Sequence, residues 1–387
     1  MKVLFFFDED DKYGAPKSGM GLVRELKNKY GVIPIVLTSK RNNVNMLCDK
    51  EKIENYVTHH HKYVYVETNS FKSKIKLVPR YFRYKLGNII ARFVIPRKIN
   101  LKEIDMIHTN ISGIDIGILI AKKYNILNIV HIREFGDLDF NMKSYRKKYI
   151  NFLNNNVDRF IAISDAVKQY WIKKGIQKKK IVTVYNGIDT LGIAKKDNYD
   201  NKKLRIIMLG SISEGKGQTE LVEAIGKIDK KILSNIDVNI IGSGYFENEE
   251  KLRRLIDDLK LGNIVKFKTY DSEIQKKLCT YDIGVVCSKS EGFGRVTVEY
   301  MTSSLAVIVS NTGANEEIID NNKNGLVYEK GNILELSEKI VYLYNNKNKR
   351  IELGNNAREK ALKLYNISVC ADKIFKIYNE LNKNCRK

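Results

Sequence analysis

The chain has 387 residues, 43% of them hydrophobic and 29% charged, which excludes a disordered polymer and makes two domains the starting expectation. Its five cysteines, Cys48, Cys279, Cys287, Cys370 and Cys385, show no Cys-x-x-Cys spacing, which speaks against a zinc site or a disulfide framework and for a reducing compartment. The net charge is +23 and unevenly placed: 35 Lys and Arg face 18 Asp and Glu up to Thr190, and 33 face 27 beyond it.

The first residues, MKVLFFFDED, hold a five-residue apolar run and then acids, without the length or cleavage site of a secretory signal. No apolar run reaches the 18 residues of a membrane span, so the expected location is cytoplasmic. Short β-branched runs then alternate with amphipathic stretches, the pattern of a parallel sheet covered by helices. Strands are expected at 3–7, 32–37, 63–66, 105–108, 129–132, 160–163 and 181–184, and helices at 18–30, 114–124, 141–155 and 164–174.

Three segments of this half invite a function. His59 to His61 has no nearby Cys or paired acids and reads as a surface loop, and Asp8 to Asp11, after the first strand, reads first as an exposed acidic loop, with a cation or the acceptor as the other reading. From Lys72 to Lys102 there are ten basic residues and no acid, interleaved with Phe71, Tyr81, Phe82, Tyr84, Phe93 and Ile95. That stretch reads first as a surface for an anionic bilayer, with a solvated basic face and a nucleic-acid surface as the other readings.

Residues 187–203, rich in Asn, Asp, Lys and Gly, read as a linker, after which the alternation restarts. Strands are expected at 204–209, 238–241, 265–267, 283–287, 306–309 and 326–328. Helices are expected at 218–230, 247–260, 295–302, 334–345, 349–364 and 367–381. Ligands of open α/β sheets bind beyond the carboxyl ends of the strands, so the residues that follow each strand carry the functional question. Gly210 to Gly217 lacks the Gly-Lys-Ser/Thr ending of a P-loop, because Gly217 and Gln218 follow Lys216.

The strongest constellation is S-K-S-E-G-F-G-R-V-T-V-E-Y-M, Ser288 to Met301. Glu291 is expected in a loop and Glu299 about one turn into a helix that starts near Gly294. Gly292 and Gly294 allow a close backbone approach, and a helix N-terminus favours an anion such as a diphosphate.

This string resembles the signature of the retaining family-4-type glycosyltransferases of the GT-B fold, a glutamate, seven residues and a second glutamate. Further strings resemble that family in order: G-A-P-K-S-G-M (Gly14–Met20), D-M-I-H-T-N (Asp105–Asn110), V-H-I-R-E-F (Val130–Phe135), I-S-D-A-V-K (Ile163–Lys168) and Y-N-G-I-D (Tyr185–Asp189). L-G-S-I-S-E-G-K-G-Q (Leu209–Gln218), T-G-A-N-E-E-I-I (Thr312–Ile319) and N-G-L-V-Y (Asn324–Tyr328) complete the set. The resemblance implies two Rossmann-like α/β/α domains facing across a cleft. Residues 1–187 would bind the acceptor, residues 188–366 the nucleotide-sugar, and residues 367–387 would pack back on the first domain.

The implied activity is transfer of a sugar, with retention, from a nucleotide-sugar (by default a UDP-sugar) to a hydroxyl of a lipid-linked or saccharide acceptor in surface polysaccharide biosynthesis. The enzyme would sit peripherally on the inner face of the cell membrane. Glu291 would hold the sugar hydroxyls and Glu299 the ribose. Phe293, Gly294 and Arg295 would meet the diphosphate through backbone groups, with Gly292 beside them. Lys216 would neutralise the diphosphate from the turn that contains Gly210 and Ser211. Gly19 would let an N-terminal loop approach the ligands, and His131 would lie at the reacting anomeric carbon. The family often carries arginine where Ser211 stands; Arg295 is expected to supply that missing cation, with Arg133 as the other candidate. No metal and no cofactor are expected. Two other readings stay open: a nucleotide-sugar epimerase of the same architecture, and a basic nucleic-acid-binding protein. His108 is left open between a ligand contact and a structural role.

Overall fold

Five consecutive apolar residues, Val3 to Phe7, offer no polar face to water, and the chain places them at the centre of a sheet, all buried. In the computed structural model, which describes all residues except 8–13, 68–74, 191, 201, 272, 386 and 387, the chain divides into two units. One is Met1–Gly187 with Ile367–Lys387, the other Ile188–Asn366.

In the first unit the strands are β1 (Lys2–Phe7), β2 (Ile33–Thr38), β3 (Glu54–Val57), β4 (Val64–Val66), β5 (Met106–Thr109), β6 (Leu127–Ile132), β7 (Met142–Ser144), β8 (Arg159–Ala162) and β9 (Ile181–Thr183). Seven of them form a parallel sheet in the order β3-β2-β1-β5-β6-β8-β9. The order reverses between β1 and β5, which marks the topological switch point.

The first helix, Gly14–Tyr30, and the C-terminal helix, Ile367–Cys385, share one core with the sheet. Met20, Val23 and Leu26 pack with Val3, Phe5, Ile374 and Tyr378. The ring of Tyr30 stacks on Phe375 at 4.0 Å, and Lys29 and Tyr30 both bond Asp372. Gly187 is required there, because a Cβ would lie 2.6 Å from the Ile367 backbone.

The second unit holds β10 (Leu204–Leu209), β11 (Ile236–Ile241), β12 (Val265–Lys268), β13 (Ile283–Val286), β14 (Ala306–Ser310) and β15 (Leu326–Tyr328). They form a parallel sheet in the order β12-β11-β10-β13-β14-β15, with the switch point between β10 and β13.

Several sequence expectations are corrected. Residues 63–66 do not join the parallel sheet: β4 pairs antiparallel with β7 in a separate ribbon, and β7 occupies part of the helix expected at 141–155. Met142–Ser144 alternates too briefly to separate strand from helix by period. The stretch expected as a linker at 187–203 does begin at the boundary between the units, and its described residues carry no helix or strand, but it is anchored on the second unit at two points. The Ile188 amide donates to Tyr365 O, and the fully buried Lys196 lies 3.2 Å from Asp282. His60 is buried rather than exposed, with Nδ1 2.8 Å from the Thr58 carbonyl. The acidic segment Asp8 to Asp11 and the start of the basic stretch, Phe71 to Lys74, lie outside the described residues.

Most of the rest of the basic stretch forms a 22-residue helix, Leu77–Lys98, which is absent from the helices expected from sequence. Tyr84, Asn88, Ala91 and Ile95 are its inner face. The Asp115 carboxylate, fully buried, anchors it by accepting from Tyr84 Oη (2.7 Å), Asn88 Nδ2 (2.9 Å) and Arg146 Nε (2.8 Å). Its outer face is apolar as well: Val78, Phe82, Leu86, Ile89, Ile90 and Phe93 recur at three- and four-residue spacing and are all exposed.

Candidate functional site

At the switch point of the second unit, two turns leave adjacent strands and lock together. Gly210 follows β10 with φ +146°, a conformation open to glycine, and its N–H donates to Ile241 O. The chain then runs through the exposed Ser211 into a short 3₁₀ turn, Glu214–Lys216, closed by Gly217 at φ +72°. A Cβ on Gly217 would lie 2.3 Å from the carbonyl of Cys287, just past the end of β13. The Lys289 amide donates to Gly215 O at 2.8 Å, which fixes this turn against the segment carrying Glu291.

That docking brings the Lys216 ammonium to 2.9 Å from Glu291 Oε2. Ser288 Oγ donates to the same oxygen at 3.0 Å, and the Gly294 N–H donates to Oε1 at 3.1 Å. The Glu291 backbone is held too: its carbonyl accepts from the Ala314 amide, and Gly313 leaves the room for this, since a Cβ there would come within 2.2 Å. Burial pushes the Glu291 carboxyl up, but the Lys216 charge and the bonds from Lys216, Ser288 and Gly294 together hold it below its ordinary value.

Gly294, left-handed at φ +78°, opens the helix Arg295–Thr302, so the backbone of Phe293, Gly294 and Arg295 sits at its N-terminal end beside Gly292. Glu299 lies one turn along, nearly buried, and accepts from Arg295 Nη2 at 3.1 Å and Gln275 Nε2 at 3.4 Å. Lys216, Glu291, Arg295 and Glu299 thus sit on one pair of turns and one helix. Arg295 pairs with Glu299 here, an i,i+4 partnership that the single sequence permits but does not require. Ser288 is legible beside the signature, whereas nothing in the sequence points to Gln275.

In the first unit the structure corrects the expectation for Gly19, which lies inside the first helix and not in a loop. A Cβ there would meet Asn110 Oδ1 at 2.5 Å and the Phe7 ring at 2.6 Å, so its bare backbone lets this helix approach the ends of β1 and β5. His131, near the end of β6, is fully buried. Its Nδ1 lies 3.2 Å from His108 Nε2 and 3.3 Å from Arg133 Nη2. The other nitrogen of His108 meets Tyr378 Oη at 2.5 Å, which resolves His108 as a partner of His131 and of the C-terminal helix.

Arg133 also donates to the Asn110 carbonyl and Oδ1 and to Asn186 Oδ1, gathering three strings that lie far apart in sequence. Burial first, then the Arg133 charge, pulls His108 down to about 3 and holds His131 well below its ordinary value, so both rings are neutral. Among the described residues no group of three or more acids, histidines or cysteines forms a metal cluster, and no helix is long and apolar enough to cross a membrane.

Residues 47–190 match the model of Glycosyltransferase Family 4, and residues 192–360 that of Glycosyl transferases group 1. An uncharacterised glycosyltransferase of Methanocaldococcus jannaschii is 27% identical over 82% of this chain and 88% of its own. A poly(ribitol-phosphate) alpha-N-acetylglucosaminyltransferase of Staphylococcus aureus is 26% identical over 67% of this chain and 51% of its own. Among solved structures, Anabaena HepE, crystallised with UDP, superposes with a TM-score of 0.81 at 19% identity over 98% of this chain and all of its own.

Proposed function

We propose that this chain, which belongs to the two-domain GT-B glycosyltransferases of group 1, transfers a sugar from a UDP-sugar, with retention and without a metal, to a hydroxyl of a saccharide or lipid-linked acceptor of a surface polysaccharide. The observation that carries the reading is the contact of Lys216 with Glu291 at the switch point of the second sheet. An ionised Glu291 offers acceptor oxygens to sugar hydroxyls, which is the demand a pyranose makes on its site. The cation beside it faces the place where charge appears. When the bond between the anomeric carbon and the diphosphate breaks, negative charge grows on the departing phosphate. Lys216 and the helix start at Phe293–Arg295 stabilise that charge more in the transition state than in the ground state. Gly210 and Ser211 form the wall of the same turn, and Glu299 takes the ribose hydroxyls.

His131 is assigned to the reacting centre as a neutral positioning group. Gly19 acts from a distance, by leaving room for Asn110. The relatives' printed names support the substrate class: one transfers N-acetylglucosamine onto poly(ribitol-phosphate), and the HepE structure holds UDP. A location at the inner membrane face is supported by the helix Leu77–Lys98, which turns six apolar side chains outward among Arg80, Arg83, Lys85, Arg97 and Lys98.

The test is differential scanning of thermal stability with a panel of UDP-, GDP- and dTDP-sugars, followed by product analysis with the stabilising donor. A rise in Tm with UDP-sugars and an α-configured product from an α-configured donor is the expected result. Stabilisation by none of the panel, or product of inverted configuration, overturns the reading.

A further inference from the structure

The histidine pair of the first unit has a determinate protonation pattern. Arg133 Nη2 lies 3.3 Å from His131 Nδ1, and a guanidinium has donors only, so Nδ1 is the acceptor and the ring proton of neutral His131 is on Nε2. The same Nδ1 lone pair faces His108 Nε2 at 3.2 Å, so His108 donates from Nε2. His108 Nδ1 is therefore an acceptor, and it takes the hydroxyl proton of Tyr378 at 2.5 Å. The direction runs one way, from Tyr378 through His108 to His131. It ends on His131 Nε2–H, which is fully buried and has no hydrogen-bond partner among the described residues.

A buried N–H aimed at no protein acceptor is costly unless a ligand supplies one. We infer that Tyr378, on the C-terminal helix, is a positioning residue that acts through His108 to hold His131 as the Nε2–H tautomer, a neutral donor to an oxygen of the transferring sugar or of its leaving phosphate. His131 then does not act as the base that takes the acceptor's proton, because the one nitrogen left without a protein partner already carries a proton. The inference rests on the assignment of His131 to the reacting centre. Phe5 stacks on His108 at 5.3 Å between centroids, and Tyr378 meets it edge-on at 5.9 Å, so the His108 ring is held from two sides.

The experiment is long-range proton–nitrogen NMR on the full chain labelled at its five histidines, with the signals assigned through single-histidine variants. His108 and His131 are expected to appear as neutral Nε2–H tautomers throughout the range of about pH 5.5 to 8 in which an ordinary imidazole titrates. Tyr378→Phe, with Tm measured to confirm folding, is expected to leave His108 as a mixture of tautomers. It should lower kcat by about fivefold, the worth of one neutral hydrogen bond, with donor KM little changed.

A His131 proton on Nδ1, a charged His131 in that range, or nitrogen shifts of His108 unmoved by Tyr378→Phe overturns the relay. The wild-type spectrum decides the matter even where the variant does not fold. The underlying site assignment is tested separately by His131→Ala. Normal transfer in that variant, with the wild-type tautomers as described, removes the functional half of the inference and leaves the protonation pattern as architecture.

Discussion

The ammonium of Lys216 and the carboxylate of Glu291 meet at 2.9 Å although 75 positions separate them, because Gly217 lets one turn lie against the carbonyl of Cys287. A carboxyl depressed in the folded state adds stability above its unfolded pKa of about 4.3, and that stability is lost as pH falls through the folded value. Lys216→Met removes the depressing charge and leaves burial opposed only by the bonds from Ser288 and Gly294. The variant should lose about 1–2 kcal/mol at pH 7, less than a fully buried pair because the lysine is about one-third exposed. Below about pH 4.3 the gap to the wild type should narrow. Thermal midpoints at both pH values check this, and an equal gap at both contradicts it.

Arg295 and Glu299 form the second ion pair of the site. With Glu299 on the ribose, Glu299→Gln should raise the donor KM by about tenfold, the scale of one charge-assisted hydrogen bond, and leave kcat nearly intact. Arg295→Ala should lower kcat if the guanidinium stands in for the arginine that Ser211 replaces. Unchanged turnover in Arg295→Ala beside abolished turnover in Lys216→Ala would remove that compensation.

Transfer should survive EDTA, because Lys216 and the helix start carry the charge that a metal supplies elsewhere. Activity lost in EDTA and restored by Mn²⁺ is the contrary result.

The helix Leu77–Lys98 offers two separable contributions to a bilayer. Reversing Arg80, Arg83 and Lys85 to glutamate should weaken binding to anionic vesicles by at least about 100-fold, since loss of the three basic charges alone costs about 3 kcal/mol, with little effect on neutral ones. Changing Phe82, Leu86 and Phe93 to serine should weaken binding to both. Flotation with the two vesicle types reads the difference, and indifference to the charge reversal ends the membrane assignment.

Asp115→Ala should be among the most damaging single changes in the first unit. It strips the buried carboxylate from Arg146, Tyr84 and Asn88 together, at a cost of about 3–5 kcal/mol. Asp115→Asn should cost less, since it keeps the side-chain volume. Denaturant unfolding of the three proteins checks the order.

The central strands were legible because a buried parallel strand is a short apolar run, as at residues 204–209 and 306–309. The signature helix was legible because Gly294 starts it. Its partners were not: a hydrogen bond from Gln275 to Glu299, or from Tyr378 to His108, joins residues 24 and 270 positions apart, and no local period records it. The helix Leu77–Lys98 escaped for a different reason. It is apolar on its outward face as well as its inward one, so the usual contrast between a core stripe and a polar side is missing.

Ile374 and Tyr378 fill the same core as Val3 and Phe5, and this sets a timetable for biosynthesis. A ribosome finishes the first unit's sheet early, then makes the whole of Ile188–Asn366 before the helix that closes that sheet emerges. Through that interval the nascent sheet exposes the apolar surface meant for Ile367–Cys385, while the second unit can fold to completion behind it. The half made first is therefore finished last, and a chain cut before Ile367 would strand it open.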